Sequence, residues 1–171
     1  MPKPQATFVD LIGECHHTAI HLEMRDAYTP DDPVYLDWKA GRQIDAVERW
    51  PEWVKLARET IARGVSIRRA RIVSEPITEF IRYEYELTEP LNTGIGELVK
   101  WLPRRQASDI ALPGNDFWLF DDRLVRFGHF SGDGHYLGDE VSEDPAVIKL
   151  CASAFEAVWE RGIPHEAYRP A

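Results

Sequence analysis

Residues 48–73, ERWPEWVKLARETIARGVSIRRARIV, hold a predicted helix followed directly by a predicted strand, and this junction decides the fold class. Pro51 in the first turn, apolar residues at three- and four-residue steps, and Gly64 at the end are typical of an α-helix. The next nine residues alternate around β-branched side chains such as Val65 and Ile67, which predicts a strand. A helix that leads directly into a strand indicates an α/β or α+β fold, with helices packed against a sheet.

The patterns on either side extend this alternation of helices and strands. Residues 7–28 carry apolar side chains at helical spacing and predict one long helix, after which Asp31 or Asp32 can cap a short one. Downstream, the patterns predict a helix or a strand in 75–87, a loop in 88–97, a strand in 98–103, helical turns in 104–110, a β-hairpin in 115–130, a connection or edge strand in 131–140 and a helix in 144–162. We therefore expect a single domain over residues 1–171, a mixed sheet flanked by helices, with peripheral tails at 1–6 and 165–171.

The composition is that of a soluble globular protein. The 171 residues are 44% hydrophobic and 29% charged, and 29 acidic against 20 basic side chains give a net charge of −9. This acidic balance argues against direct nucleic-acid binding, for which a basic surface supplies most of the affinity. Cys15 and Cys151 lack CxxC spacing and no apolar leader opens the chain, so we expect reduced thiols in a cytoplasmic protein. No apolar run reaches the roughly 20 residues that a membrane helix needs.

Residues 14–28, ECHHTAIHLEMRDAY, hold the densest group of potential metal ligands. His17 and His21 are four residues apart and would share one face of the predicted helix, as in some zinc sites. The zincin pattern HExxH requires a glutamate base directly after the first histidine, where this chain has Thr18. We therefore predict a helix surface at the rim of a pocket, with no metal and no other cofactor.

Arginines form the densest positive charge of this acidic chain. In the predicted strand Arg69 and Arg71 share one face and Arg68 lies on the other. If the strand is central, these side chains need carboxylate partners, for which we consider Glu75, Glu84 and Asp116. Arginine also binds the phosphates and carboxylates of ligands. The sequence leaves both structural ion pairing and ligand binding open.

Several long segments resemble an uncharacterised family of actinobacterial proteins, whose members are usually encoded beside a helix-turn-helix regulator. They are HLEMRDAY (21–28), ARGVSIRRARIVSEPITEFIRYEY (62–85), VKWLPRRQASDIALPGNDFWLFDD (99–122) and CASAFEAVWERGIPHEAYRP (151–170). The resemblance covers nearly the whole chain. It implies a regulatory setting but no established activity.

A more distant resemblance is to degenerate phospholipase-D-like domains attached to some bacterial transcription regulators. It is carried by a helix ending in ARGV, the LP…FWLFDD strand and the AFEAVWERGIP helix. Active members use the motif HxKxxxxD, and aligning its aspartate with Asp121 places Gly114 at the histidine and Asp116 at the lysine. Neither residue can replace the family's nucleophile or its phosphate ligand. The resemblance implies a phospholipase-D-like half-domain as scaffold, without the catalyst.

Our leading hypothesis is a non-catalytic regulatory protein that binds a protein partner, such as a helix-turn-helix regulator, or a small ligand. The expected contact residues are mainly polar groups near predicted strand ends and the end of the first helix: Glu23, Arg25, Asp26, Arg69, Arg71, Arg104, Arg105, Asp116 and Trp118. One alternative is a hydrolase, with or without a metal, that uses His21, Glu23 and Asp26. The other is a homo-oligomeric structural module, at its simplest a homodimer, formed through exposed aromatic residues.

Overall fold

The computed structural model describes residues 5–171, and the bounds of its helices and strands are as follows. The α-helices are α1 (Phe8–Gly13), α2 (Pro33–Lys39), α3 (Ala46–Arg49), α4 (Pro51–Ala62), α5 (Glu79–Leu91) and α6 (Pro145–Arg161). The strands are β1 (Thr18–Glu23), β2 (Ser66–Val73), β3 (Leu98–Pro103), β4 (Phe117–Phe120), β5 (Leu124–Phe130), β6 (Tyr136–Ser142) and β7 (Ile163–Pro164). Two 3₁₀ turns lie at Thr93–Ile95 and Arg104–Ala107.

The seven strands form one mixed sheet in the order β6-β5-β4-β1-β2-β3-β7. Strands β1, β2 and β3 are parallel, and helical segments connect them. The β4–β5 hairpin adds antiparallel to β1, with β6 beyond it, and short β7 lies antiparallel to β3. The architecture is therefore the predicted α/β domain, with a mixed sheet flanked by helices.

Helix α6 covers one face of this sheet. Asp144 caps its N-terminus by accepting a hydrogen bond from the Ala146 backbone N–H, and Pro145 occupies the first turn as predicted. Its buried stripe includes Cys151 and Phe155, which pack on apolar side chains from the central strands. These strand residues are Ile20, Leu22, Ala70, Ile72, Leu102, Phe117, Leu119 and Val125.

The opposite face carries two separate apolar clusters. One lies under α1 and α4 and includes Leu11, Ala57 and Phe120. The other lies under α2 and α5 and includes Phe80 and Trp101. Polar side chains of the central strands also point to this face, and they form the candidate functional site.

The prediction of a helix over residues 7–28 is wrong after Gly13. The chain turns there, and residues 18–23 form β1, a central strand paired with both β2 and β4. The carboxylate of Asp121 fixes this turn by accepting hydrogen bonds from the backbone N–H groups of residues 16, 17 and 18, at 2.7–2.9 Å. Three amide donors hold the pKa of Asp121 well below its usual value, although partial burial acts in the opposite direction.

Other predictions differ from the structure in smaller ways. Helix α5 continues through Pro90 to Leu91, into the segment predicted as a loop. The segment 165–171, predicted to be a peripheral tail, places Tyr168 in the core, where it stacks on Trp101 at 5.4 Å. Of the predicted tail at 1–6, residues 1–4 lie outside the described part of the chain.

Both cysteines are buried free thiols, as expected. Among residues 5–171, no helix is both long and apolar enough to cross a membrane.

Candidate functional site

The candidate site is built on a row of side chains that runs across the central strands. His21 of β1 lies opposite Arg69 of β2 and Trp118 of β4, and Trp118 lies opposite Arg126 of β5. One pleat further along, Glu23 lies opposite Arg71. Because side chains alternate along a strand, all these residues point to the face opposite α6.

Arg69, Arg71 and Glu23 of this row form a buried ion-pair network with Glu97, which lies just before β3. Arg69 donates from Nε to Glu97 Oε1 at 2.7 Å and from Nη1 to Glu23. Arg71 donates from Nε to Glu23 Oε2 at 3.3 Å. Glu23 is 6% exposed, Arg71 is 5% exposed and Glu97 is 1% exposed. Each of these buried charges therefore depends on its partner for stability.

The charges of this network balance each other. Burial alone would raise the pKa of Glu23, but Arg71 and Arg69 outweigh it and hold the pKa well below the usual range. Burial opposes the charge of Arg69, yet Glu97 and Glu23 raise the pKa of its guanidinium above its usual value. Both side chains are therefore charged at neutral pH.

Neutral side chains complete the hydrogen bonds of the network. Thr88 Oγ accepts from Arg71 Nη1 at 2.6 Å, and Asn92 donates to Glu97 Oε2 at 2.7 Å. The C-terminal end of α5 therefore supplies both neutral partners of the network, because Thr88 lies in its last turns and Asn92 follows directly after it.

Aromatic rings surround the charged groups. His21 stacks on Trp118 with 4.3 Å between ring centroids. The guanidinium of Arg69 lies 5.5 Å from the Trp118 ring, and that of Arg71 lies 4.8 Å from the Trp101 ring. These are cation–π distances, and the rings hold both arginines in fixed positions.

A cavity of about 250 Å³ opens beside this row, between β1, the β4–β5 hairpin and α5. Its walls combine ionisable and aromatic side chains with one glycine: His21, Glu23, Tyr28, Glu84, Asp116, Phe117, Trp118, Arg126, Gly128, Phe130 and Tyr136. We call it the first cavity. A second cavity of about 300 Å³ shares Glu84 with the first cavity. Its other lining residues include Arg69, Arg71, Trp50 and Trp53.

Two polar atoms of the first cavity's residues are buried without a hydrogen-bond partner among residues 5–171. They are Nδ1 of His21 and Oε2 of Glu84. The nearest charged groups are too far for a hydrogen bond, with Glu23 Oε1 3.7 Å from His21 Nδ1 and Arg71 Nε 3.9 Å from Glu84 Oε2. Buried polar groups normally have partners, so two unpartnered atoms on residues that line the first cavity make this cavity the candidate ligand site.

Burial shifts the titration of these two groups toward their neutral forms. Burial, aided by the charge of Arg69, lowers the pKa of His21 to about 3, so the imidazole is neutral. Burial raises the pKa of Glu84 to about 8, although Arg71 acts in the opposite direction. At neutral pH, Glu84 is therefore mostly protonated.

Asp116 is the third carboxyl group of interest in the first cavity. It accepts a hydrogen bond from the Tyr28 hydroxyl and another from the Met24 backbone N–H at 2.8 Å. Burial raises the pKa of Asp116 to about 6, against the effect of the Tyr28 hydrogen bond. These bonds join the end of β1 to the start of the hairpin and shape one wall of the cavity.

The structure brings together some of the predicted contact residues and separates others. Those at the first cavity or its network are Glu23, Arg69, Arg71, Asp116 and Trp118. Asp26 instead accepts hydrogen bonds from the Ser74 backbone and hydroxyl at 2.8 and 2.7 Å, and Arg104 donates to Ser74 Oγ at 3.0 Å. These two residues tie strand ends together.

The remaining predicted contact residues, both arginines, also lie outside the first cavity. The guanidinium of Arg25 lies over the Phe130 ring at 5.1 Å and does not line the cavity. Arg105 is exposed and lines a separate depression near Ser74 and Pro103. Neither side chain belongs to the network.

Sequence reasoning missed the residues that close the site from distant parts of the chain. Glu97 and Asn92 follow α5, and Trp53 comes from α4. Glu84 was considered only as a partner for the arginines. The available signal was the pair Arg69 and Arg71 in a central strand, because two buried arginines need at least two carboxylates.

The three residues of the alternative hydrolase do not assemble. His21 and Glu23 are neighbours, but Glu23 is held by two arginines and Asp26 is held by Ser74. Within residues 5–171, no group of three or more histidine, cysteine, aspartate or glutamate side chains is arranged to hold a metal ion. A base or metal site built on this trio therefore has no geometric support.

Comparison with known proteins gives a family and a fold. The profile of a family described as "Domain of unknown function (DUF6879)" matches residues 6–170. No curated protein matches the chain significantly.

Two solved structures resemble the chain over most of its length. A phospholipase D family member, Nuc from Salmonella typhimurium, matches with a TM-score of 0.52 and 11% identity, over 94% of this chain and 88% of that one. TrmBL2, an archaeal chromatin protein, matches with a TM-score of 0.50 and 12% identity, over 91% of this chain and 47% of that one. The likeness to a phospholipase D family member agrees with the predicted scaffold. At these identities it establishes the fold alone.

Proposed function

The chain belongs to the DUF6879 family, whose function is unknown, and we propose that it is a non-catalytic regulatory domain. It binds a small ligand in the first cavity and acts in the cytoplasm through a protein partner. The observation that carries this proposal is that His21 and Glu84, each with a buried atom that has no hydrogen-bond partner among residues 5–171, both line one cavity with aromatic walls. Pockets with apolar walls and a few convergent polar groups are typical ligand sites.

The chemistry of the cavity argues against the phosphodiesterase reaction of active phospholipase D enzymes. The chain contains no HxK sequence, and Asp121, at the motif's aspartate position, is occupied by three backbone amides. The residues that line the first cavity also offer a phosphate group no free cation, because the one guanidinium among them, that of Arg126, pairs with Asp139. A scaffold that retains a pocket without this catalyst suits ligand binding.

The proposed partner is a helix-turn-helix regulator. This proposal rests on the family resemblance in the sequence and on the acidic chain, whose net charge of −9 complements the basic surface of a DNA-binding protein. The binding of the small ligand would then change the affinity for the regulator. A homodimer is the competing form of assembly.

Partner binding is tested by a pull-down of tagged protein from its native host at native expression level, followed by mass spectrometry. We expect a helix-turn-helix protein in near one-to-one ratio. Light scattering on the purified chain separates the homodimer from the monomer. Recovery of the chain alone, at the mass of a dimer, would refute the regulator partnership.

Ligand binding is tested by thermal unfolding in the presence of fractionated host metabolites. A ligand at 100 times its Kd adds about 2.7 kcal/mol, which raises the Tm of a chain of this size by roughly 5–10 °C. Gly128 provides a blocking variant, because it lines the first cavity and an added Cβ would contact only the Phe130 ring within 4 Å. Gly128→Leu should abolish the shift.

The matched control is Gly132→Leu, which adds the same side chain at an exposed turn position with nothing within 4 Å of the new Cβ. It should keep the full shift. If no metabolite fraction stabilises the native protein, or if Gly128→Leu responds as strongly as Gly132→Leu, the first cavity is not a ligand site.

A further inference from the structure

We infer that the ligand of the first cavity is an organic cation, with an amine, amidine or guanidine group beside Glu84 and His21. Its apolar body would pack on the aromatic wall that includes Phe130 and Tyr136. This inference rests on the proposed ligand-binding function and adds the chemical class of the ligand.

The first argument is the charge of the cavity walls. Three carboxyl groups line it, and the only guanidinium among its lining residues, that of Arg126, is already paired with Asp139 at 2.8 Å. Arg69 and Arg71 neutralise Glu23. Among residues 5–171, Asp116 has no ion-pair partner, and the ion-pair partner of Glu84 is Arg71, whose Nε lies 3.9 Å away and donates to Glu23. A cation placed in the cavity would act as the counter-ion that allows Glu84 and Asp116 to ionise.

The second argument is the hydrogen-bonding character of the unpartnered atoms. When a bound cation ionises Glu84, its carboxylate only accepts hydrogen bonds, and the neutral imidazole of His21 offers one accepting nitrogen. A ligand with two or more N–H groups could therefore donate to both side chains. An amidine or guanidine places two such donors side by side, and an amine offers up to three.

The third argument is the aromatic wall. Tyr28, Phe130 and Tyr136 line the same cavity as the carboxyl groups. Aromatic faces attract cations, and the attraction strengthens where water is excluded. A carboxylate or phosphate ligand would not be attracted to these ring faces and would oppose the ionisation of Glu84 and Asp116.

Cation binding has a consequence that other ligands do not share. Glu84 is mostly neutral at pH 7, in surroundings that hold Arg71, Arg69, Glu23 and Asp116. A bound cation favours the ionised form of Glu84, so the carboxyl group releases its proton to the buffer. The heat of binding should then depend on the ionisation enthalpy of the buffer.

The test is isothermal titration of the full chain at pH 7 with three organic cations, benzamidine, tryptamine and agmatine, in phosphate and in Tris buffer. Benzamide and benzoate serve as the neutral and anionic analogues of benzamidine. We expect at least one cation to bind with proton release, and any binding of benzamidine to exceed that of both analogues by about tenfold, the ratio expected for one charge-assisted hydrogen bond.

Two variants assign the effect to the cavity. Glu84→Gln should weaken cation binding about tenfold and remove the proton release. Glu89→Gln makes the same change on the exposed side of α5 and should bind like the native protein.

The inference is overturned if none of the three cations binds, if benzoate binds as tightly as benzamidine, or if Glu84→Gln and Glu89→Gln bind alike. Metabolite fractions that still stabilise the native protein, but not Gly128→Leu, would then leave the proposed ligand-binding function intact. Failure of both experiments would remove the function as well as the ligand class.

Discussion

Replacing Arg69 by methionine tests whether the buried network stabilises the fold. Methionine keeps an unbranched apolar side chain but removes the guanidinium that bonds to both Glu23 and Glu97. Glu97 is 1% exposed and Glu23 is 6% exposed, so neither carboxylate can recover its hydration. Removing one partner of a buried ion pair destabilises a protein by about 3–5 kcal/mol.

The neighbouring residue provides a matched control. Arg68 lies on the other face of β2 and pairs with Glu156, whose side chain is 56% exposed. A pair open to solvent contributes about 1 kcal/mol or less. Arg68→Met should therefore lose far less stability than Arg69→Met, although the two changes are chemically identical and adjacent in the chain.

Urea unfolding at pH 7 measures both variants. With an m-value of about 2 kcal/mol/M, the expected loss lowers the midpoint for Arg69→Met by roughly 1.5–2.5 M, and for Arg68→Met by about 0.5 M or less. In the native protein the low pKa of Glu23 stabilises the fold above the unfolded-state pKa of glutamate, and this stability is lost as pH falls. The difference between Arg69→Met and the native protein should therefore shrink below about pH 4.5.

Equal midpoints for the two variants would refute this reasoning. So would a loss for Arg69→Met that stays the same from pH 7 to about pH 3. Either result would mean that the carboxylates find solvent or other partners once the guanidinium is gone.

Three further predictions concern single groups of the described structure. The pKa of Glu84 is raised to about 8, so the folded protein holds this proton more tightly than the unfolded chain does. The free energy of unfolding should therefore fall as pH rises from 6.5 to 8. Urea midpoints should show this decrease, and Glu84→Gln should make it smaller. Asp121→Asn leaves one accepting oxygen for three backbone amides and should lower the free energy of unfolding by about 1–3 kcal/mol. The control Asp122→Asn, at an exposed position with the same φ of 50°, should have little effect. Equal losses would argue against a stabilising role of the three hydrogen bonds to Asp121. Cys15 and Cys151 are 1% and 0% exposed, and burial raises the pKa of each thiol to about 11. An aromatic disulfide reagent should therefore label them only when the protein unfolds. Rapid labelling of the native protein would contradict the packing of these residues.

The elements with strong local signals were predicted well. Helix α6 has an aspartate cap, a proline in its first turn and a regular apolar stripe, and β2 has alternating β-branched residues. Strands β4 and β5 form the hairpin predicted in 115–130, with its turn at Asp121 and Asp122. In each case the sequence pattern and the tertiary environment favour the same structure.

Strand β1 was mistaken for a helix for a physical reason. Apolar residues from Phe8 to Ile12 do form a helix, and Ala19 and Leu22 continue the same spacing by coincidence. The true alternation of β1 is hidden, because His21 and Glu23 are polar residues on a face that is buried. A strand that places polar side chains on a buried face does not show the alternation of apolar and polar residues by which strands are recognised.

The candidate site was only partly predictable, since its members come from separate segments. Arg69 and Arg71 could be selected as charged residues of a predicted strand, and Glu23 as a polar residue near the end of the first predicted helix. Glu97 and Asn92 could not, because their role depends on how α5 crosses the sheet. Local patterns identify charges that need partners, but only the topology shows which partners they find.

The ion pairs across the sheet also favour one register of β2 relative to its neighbouring strands. A slip of β2 by one residue would turn Arg69 and Arg71 toward α6, where the buried side chains are apolar, and would leave Glu23 and Glu97 unpaired. Apolar strands tolerate such errors more easily, because one buried hydrophobic residue can replace another. In this fold, a sheet assembled with β2 shifted by one residue would carry unpaired charges in its core, so the network disfavours that strand pairing.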